Sequence, residues 1–514
     1  MRIDPTPTWP HPLPGSGHDA VSHLSGPPPA GIFRDYDVRG RVEGPFDHDR
    51  ELLTPFGANV IGRAFGTHLD ALGIEAVAVG HDSRAYAPSL ANALIEGLLS
   101  TGRAVVSLGL STTPMVYFAQ HALSVPAAVA VTASHNPNGW AGFKLSVAPS
   151  TTLGPDDIRA LWQVASTGSF TRGTGTFVEH SVSERYVTHL AELTPAPEPL
   201  DVIIDGANGI AGPIALEAFR AAGHRARAIN LELDWRFPNH EPDPELLESR
   251  RQLAHAVTAQ VASFGAAFDG DGDRLGVTDE GGETVLSDRV LALLAEDVLE
   301  RRPGATILHD VKCSRLVGDV IRAAGGRAEM CRTGHSHIKQ RMRELSAPFA
   351  GERSGHFFDA LDNLGFDDAI HAALRFAHVV AASGRPVSEL VAALPHYVSS
   401  PTMQAPCPDE VKHEVVERVA TALGEQADPE RLERLERLDG VRAEFADGWL
   451  LVRASSNLPA LVILCEGTDD GALRRNYELL RAVLDAQPEV DRTWENDTLG
   501  AGPHLDAPPR RRPT

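Results

Sequence analysis

Three times along the chain an apolar run ends in a polar turn that carries an aspartate: AVAVGHDSR (76–84), VIIDGANG (202–209) and ATILHDVKCS (305–314). The aspartates, Asp82, Asp205 and Asp310, stand 123 and then 105 residues apart, about one domain length each. Short runs rich in Val, Ile and Ala, bounded by turn residues, read as strands buried on both faces. Each is followed by a helix-like segment, such as PSLANALIEGLLSTG after the first. Strands alternating with helices make parallel or mixed sheets covered on both sides, and a recurrence at domain spacing makes successive units of one design. In such sheets the loops beyond the C-terminal ends of the strands carry function.

The rhythm breaks from about 396 to 486. Helix-like VKHEVVERVATAL and ALRRNYELLRAVL enclose strand-like WLLVRAS and PALVILCEG, the pattern of a smaller α+β domain. The expected fold class is therefore α/β: three topologically similar α/β domains with mixed sheets (31–178, 179–281 and 282–395) plus a smaller α+β C-terminal domain (396–486). Residues 1–30 and 487–514 are rich in Pro, Gly, Ser and His without hydrophobic period, and read as disordered tails.

At 514 residues the chain exceeds one core, and its 42% hydrophobic and 23% charged content suits a soluble globular protein. No apolar run approaches the ~18 residues of a membrane span. The first residues lack the basic start and apolar stretch of a signal peptide, so a cytoplasmic protein is expected. Cys313, Cys331, Cys407 and Cys465 fit neither a disulfide framework nor a zinc spacing. The net charge of −22 excludes general affinity for nucleic acid or an acidic membrane, so an anionic ligand needs a locally basic site. Only four lysines exist, Lys144, Lys312, Lys339 and Lys412, arginine supplying the remaining positive charge. Ammonium and guanidinium differ in geometry and titration, and three of these lysines fall beside the motifs below.

The strongest single motif is DGDGDR, Asp269 to Arg274, after the strand-like SFGAAF. Alternating carboxylates separated by glycines make an all-oxygen cation site. Glu280 falls at the twelfth position, as in an EF-hand, but Arg274 stands at the sixth, where that loop needs glycine, and strands flank the run. Oxygen ligands favour Mg²⁺. In TASHNPNGWAGFK (132–144) the hydroxyl of Ser134 precedes an imidazole and an amide; locally these are all turn formers. In GERSGH (351–356) Glu352, Ser354 and His356 alternate, so in an extended loop they point one way and suit adjacent sugar hydroxyls. In RASSNLP (453–459) an arginine fork stands among hydroxyl, amide and backbone donors, the chemistry of a phosphate cradle. Two lesser pieces are FRDYDVRG (33–40), where Tyr36 and Arg39 can orient the serine loop, and TGHSHIK (333–339), where His335 is a candidate titrating group.

In this order and combination the motifs FRDYDVRG, TASHNP, GFK, DGDGDR, DVK, TGHS, GERSGH and RASSNLP resemble the α-D-phosphohexomutase superfamily, and within it the bacterial phosphomannomutase/phosphoglucomutase group. The resemblance spans about residues 32 to 485, and its three related α/β domains plus a smaller fourth agree with the recurrence. It implies that Ser134 is the phosphorylated serine and that Asp269, Asp271 and Asp273 bind Mg²⁺ together with the phosphate on Ser134. Glu352, Ser354 and His356 then match the sugar-binding loop, and Arg453, Ser455, Ser456 and Asn457 the distal phosphate loop. Tyr36 joins the substrate site. Arg39, Lys144, Arg274, Lys312 and His335 match positions that place phosphate or assist proton transfer.

The activity implied is interconversion of hexose 1- and 6-phosphates, with a hexose 1,6-bisphosphate as intermediate and activator, by a monomer or dimer whose partners are sugar phosphates. FRDYDVRG is more similar to the mannose/glucose enzymes than to the phosphoglucosamine branch, whose start resembles FGTDGIRG. Two features depart from the pattern. Ser456 and Asn457 replace the Asn and Thr of RxSNT, and Arg353 stands where Met or Gln is common, expected to add charge beside the sugar. Phosphoglucosamine mutase, a serine-dependent sugar phosphatase and a noncatalytic sugar-phosphate binding protein remain as alternatives.

Overall fold

The computed structural model describes residues 27–42 and 52–492. Three sheets repeat one strand order. In the first unit, Ala104–Leu110, Ala76–His81 and Ala127–Val131 lie side by side and parallel, and Trp140–Ala148 follows antiparallel. The second unit sets Arg225–Ile229, Asp201–Asp205, Phe264–Phe268 and Leu275–Asp279 in the same order and directions. The third does so with Arg327–Cys331, Thr306–Asp310, Phe349–Gly351 and Phe357–Asp359. In chain order, each unit places its second strand outside its first, crosses back to add the third, and turns a hairpin into the fourth.

This repetition places the motifs. Each third-to-fourth hairpin opens at the C-terminal end of the parallel strands. The three hairpins carry Ser134, the DGDGDR run and the Glu352–His356 turn, beyond the paired residues Val131 and Phe143, Phe268 and Leu275, and Gly351 and Phe357. The recurring aspartates stand at the ends of the first strands and bond the turns. Asp82 accepts from Ala133 N–H (3.4 Å) and Asp310 from Arg353 N–H (3.2 Å), each in its unit's hairpin, while Asp205 holds Ala207 N–H (3.0 Å).

The first sheet gains Val38–Arg41, antiparallel to Trp140–Ala148, and an exposed edge strand, Phe177–Glu179. Helices cover the sheets, and their ends follow elementary rules. Thr112 caps Thr113–Ala122 by accepting from Met115 N–H, and Asp368 caps Ala369–Ser383, which Gly384 ends in the left-handed region. Residues of all three units share one apolar core, in which Met115, Ile204, Leu291 and Phe376 are members. The fourth domain has its own: an antiparallel sheet, mainly Leu432–Glu436, Val441–Phe445, Gly448–Ala454 and Ala460–Gly467, backed by helices Lys412–Gln426 and Asp470–Asp485.

The sequence reading anticipated the last two of these strands but neither of the first two. LERLE exposes two of its five side chains, and VRAEF buries charged ones, so neither has the apolar alternation of a strand. The expected tails lie mostly outside the described residues. Inside them, Val490 is buried and Asp491 N–H donates to the Pro406 carbonyl (2.9 Å), so chain beyond 486 packs on the fourth domain. No helix among the described residues is long and apolar enough to cross a membrane.

Candidate active site

Ser134 has φ +53°, a left-handed conformation that costs a non-glycine residue about 1–3 kcal/mol unless its surroundings impose it. Its N–H donates to Thr132 Oγ1 (2.8 Å), its carbonyl accepts from Arg84 (2.9 Å), and its hydroxyl donates to Asp269 Oδ2 (2.6 Å). Arg84 also donates to the carbonyls of Asn136 (2.6 Å) and Pro137 (3.0 Å), and Arg39 to that of Ala133 (2.6 Å) while held by Asp37 (2.9 Å). Two buried guanidinium groups thus clamp the serine loop. Arg39 takes the orienting place expected of it. Tyr36 does not: its ring meets His335 edge-on, centroids 5.0 Å apart. Arg84 was missed although it lies in the first recurring turn, HDSR, where a basic residue after the aspartate was the signal.

In the metal loop Asp269 Oδ1 accepts three backbone N–H groups, from Gly272 (3.0 Å), Asp273 (3.1 Å) and Arg274 (3.1 Å). Gly270 lets this loop approach the serine, since a Cβ there would fall 2.7 Å from the Ser134 carbonyl oxygen. Lys144 donates to Asp271 Oδ2 (2.7 Å) and to Asp273. Burial opposes the Lys144 charge, but the two carboxylates outweigh it and raise its pKa. Burial with two like neighbours pushes Asp269 well above the usual carboxylate range. Asp271 Oδ1 is buried with no hydrogen-bond partner, and Asp273 Oδ1 meets the ring of His356 at 3.3 Å. The three carboxylates offer oxygens within 4.8 Å of one another, so this group can hold a metal ion. Arg274, largely buried, keeps its charge against desolvation through Asp243 and Asp269.

The sugar-loop residues converge by a different geometry from the extended one expected. Gly355, at φ +91°, donates to the Glu352 carbonyl (3.0 Å) and folds the segment into a turn. That turn brings His356 Nδ1 to 2.8 Å from Glu352 Oε2 and Ser354 Oγ to 3.2 Å from the same oxygen. Burial disfavours the charged ring of His356, yet Asp273 and Glu352 outweigh it and raise its pKa to about 9. Glu352 Oε1 accepts from Gly334 N–H (2.6 Å), tying this turn to the helix His335–Leu345. His335 is that helix's first residue. Burial, with Lys339 and Lys144 nearby, depresses its pKa well below the ordinary value, and its Nε2 is buried without a partner. Lys312 lies 3.4 Å from Asp310.

Arg353 corrects an expectation. Its guanidinium donates to Asp288 (2.7 Å) and the Ser400 carbonyl (3.4 Å), so its charge is committed to a buried ion pair at the junction with the fourth domain.

The distal loop caps the hairpin of the last two strands. Arg453 donates through Nε to Asp439 (2.9 Å) and through Nη2 to Ser456 Oγ (3.3 Å). Ser455 Oγ accepts from Leu458 N–H (3.2 Å) and so shapes the loop, while Asn457 Oδ1 is left without a partner. Lys412 donates to the carbonyls of Ser455 (2.6 Å) and Leu458 (3.2 Å). Lys412, the one lysine outside the motifs, thus braces the distal loop. Lys339, buried, pairs with Asp367 (2.9 Å) one helical turn beyond His335. An ion pair from Arg34 to Asp409 (3.5 Å) joins the first domain to the fourth across the opening.

Four domain descriptions match along the chain: phosphoglucomutase/phosphomannomutase alpha/beta/alpha domain I over residues 30–172, domain II over 184–282, domain III over 286–397 and the C-terminal domain over 403–482. The chain belongs to the phosphoglucomutase/phosphomannomutase family. A phosphomannomutase/phosphoglucomutase of Pseudomonas putida is 38% identical over 463 residues, 90% of this chain and 97% of that one. A phosphoglucomutase of Neisseria gonorrhoeae is 36% identical over 462 residues, 89% of this chain and 98% of that one. The crystal structure of a phosphoglucomutase/phosphomannomutase family protein from Burkholderia thailandensis superposes with a TM-score of 0.82 at 36% identity, covering 90% of this chain and 98% of the other. The family's four domains follow the order of the four sheets, and the site lies where their loops meet.

Proposed function

We propose that the protein interconverts hexose 1-phosphates and hexose 6-phosphates, of mannose, glucose or both, through a phosphoserine at Ser134 and a hexose 1,6-bisphosphate. The observation that carries this reading is the placement of Ser134 Oγ on Asp269 Oδ2 (2.6 Å), with the neighbouring Asp273 reached by His356 (3.3 Å) of the sugar loop and the Thr333–Gly334 segment joining Glu352 to the Asp439 that holds the Arg453 fork. One end suits the reacting phosphate and the other the phosphate at rest. The names of relatives at 36–38% identity, one including both sugars and one glucose alone, favour the mannose and glucose reading over glucosamine.

Phosphoryl transfer rests on positioning and charge neutralisation. Asp269, Asp271 and Asp273, with the Ser134 oxygen, would hold Mg²⁺, which when bound offsets charge on the transferring phosphoryl group. Lys144 and Arg274 add fixed positive charge at the same end. In the first half-reaction a sugar hydroxyl attacks the phosphorus on Ser134: the serine P–O bond breaks, a sugar P–O bond forms, and the hydroxyl proton ends on Ser134 Oγ. His335, neutral and with a free buried Nε2, is suited to carry that proton. Glu352, Ser354 and His356 face the sugar hydroxyls, and Arg453, Ser456 and Asn457 the other phosphate. The bisphosphate then reverses its ends and returns a phosphate to the serine. A phosphatase sharing Ser134 would have little use for the distal cradle. The four buried, unpaired cysteines fit a cytoplasmic setting.

The test is a coupled assay with glucose 1-phosphate, mannose 1-phosphate and glucosamine 1-phosphate, each with a trace of the matching bisphosphate. Formation of the 6-phosphates is expected for the first two. Steady release of inorganic phosphate without isomer formation would refute the mutase reading.

A further inference from the structure

Asp439 is where two motifs of two domains meet, and the reaction above gives it no part. It lies in the turn Leu438-Asp439-Gly440 between the strands Leu432–Glu436 and Val441–Phe445. One oxygen, Oδ2, accepts both from Arg453 Nε (2.9 Å) and from the backbone N–H of Thr333 (3.1 Å), two residues ahead of His335. The turn is fixed from both sides. The Leu438 carbonyl accepts from Arg332 (2.8 Å), and the Leu438 side chain packs on the junction cluster of Val311 and Trp449. Gly440, at φ +78°, runs so close to the distal loop that a Cβ would fall 2.7 Å from Arg453 Cα.

We propose that Asp439 is a positioning residue that sets the direction of the Arg453 fork and ties it to the His335 loop. Nε is committed to Asp439 and one Nη2–H to Ser456 Oγ (3.3 Å), so the remaining N–H groups of the two terminal nitrogens are the donors left for an anion, and their plane is fixed before it arrives. A planar fork held in place loses less freedom on binding than a mobile one. A carboxylate beside a phosphate subsite otherwise repels the anion, so its presence there needs an offsetting gain, and orientation supplies it. Both bonds fall on one oxygen. A neutral amide oxygen can accept both, which makes the positioning separable from the charge. The inference rests on the reading of Arg453 as the distal phosphate residue.

The experiment compares Asp439→Ala, Asp439→Asn and Arg453→Ala in steady-state assays with glucose 1-phosphate and glucose 6-phosphate, alongside melting temperature and Mg²⁺ activation. Loss of one charge-assisted bond to the fork corresponds to about tenfold, so Asp439→Ala is expected to raise KM about tenfold for both substrates, with kcat and Mg²⁺ activation much less affected. Asp439→Asn is expected to restore KM to within about threefold of wild type, as a retained neutral bond should. If the carboxylate only repels phosphate, both variants lower KM. If it has no part in the site, neither moves it. Either result overturns the proposal; where the alanine variant folds poorly, Asp439→Ser, polar but too short to reach both donors, takes its place with the same expected rise in KM, and an unchanged or lowered KM in it overturns the proposal. Should Arg453→Ala leave KM unchanged, the reading of the distal loop fails and the positioning role with it. Should Arg453→Ala raise KM while Asp439→Ala does not, the positioning role alone fails.

Discussion

A side chain's surroundings, more than its type, decide what it does in this cleft. Ser134 is held at φ +53° by Arg84 and Thr132 with its hydroxyl on Asp269, and a serine so constrained presents one oxygen in one direction. Ser134→Ala is expected to abolish mutase activity with little change in stability, and peptide mass analysis should find phosphate on Ser134 of the purified wild type and none on the variant's loop. Full activity in the variant would end the mechanism. Arg353 makes the complementary point. Sequence position put its charge beside the sugar, whereas its guanidinium is buried against Asp288. Removing one partner of a buried ion pair strands the other and costs about 3–5 kcal/mol. Asp288→Ala is therefore expected to lower the unfolding free energy obtained from urea titration by that amount, and adding Arg353→Met should recover much of it. A larger effect of Arg353→Met on KM than on stability would contradict this placement.

The element that builds the site is the hairpin between the third and fourth strands, used three times. Much of this was legible. The recurring aspartates marked the units, the three motifs were recognisable, and the scarcity of lysine marked the site more completely than expected, since Lys412 braces the distal loop. Strand order was not legible, because apolar periodicity reports that a strand is buried and not which strand it pairs with. Nor was the shape of the sugar loop. Alternation suggested an extended segment, but one glycine turns it: at Gly355, φ is +91° and a Cβ would lie 2.6 Å from the Leu275 carbonyl oxygen. Gly355→Ala therefore meets both a backbone strain of about 1–3 kcal/mol and a backbone clash. It is expected to spread Glu352 from His356 and to lower kcat/KM by on the order of tenfold or more, each ~1.4 kcal/mol being a factor of ten. Kinetics on either hexose 1-phosphate would check it, and wild-type values would mean that the turn is not what presents these side chains.

At the scale of the whole molecule the chain is two bodies of unequal size. One apolar cluster runs through the first three domains, beside a second within the first, and the fourth has its own, so the site depends on how firmly the fourth is docked. The docking centre is Arg442, buried on the strand Val441–Phe445. It donates to the carbonyls of Val311 (2.6 Å) and Cys313 (3.0 Å), on either side of Lys312, and lies 3.7 Å over the ring of Trp449. Trp449 is in turn fixed by Glu466 (2.7 Å). Hydrogen bonds from a charged donor contribute roughly 1.5–3 kcal/mol each, and a desolvated cation over an aromatic face about 2 kcal/mol. These terms share one guanidinium and do not add, so Arg442→Ala is expected to weaken docking by about 3 kcal/mol. The core of the first three domains is untouched, so Mg²⁺ activation should persist. What should change is the distal phosphate: KM should rise for the 1-phosphate and the 6-phosphate together, and more bisphosphate should be released before the second transfer. Limited proteolysis supplies a readout independent of activity, since a loosened fourth domain exposes the connection near Ser400. If the variant resists protease as the wild type does and keeps both KM values, the fourth domain is held by its other contacts and Arg442 is a packing residue only.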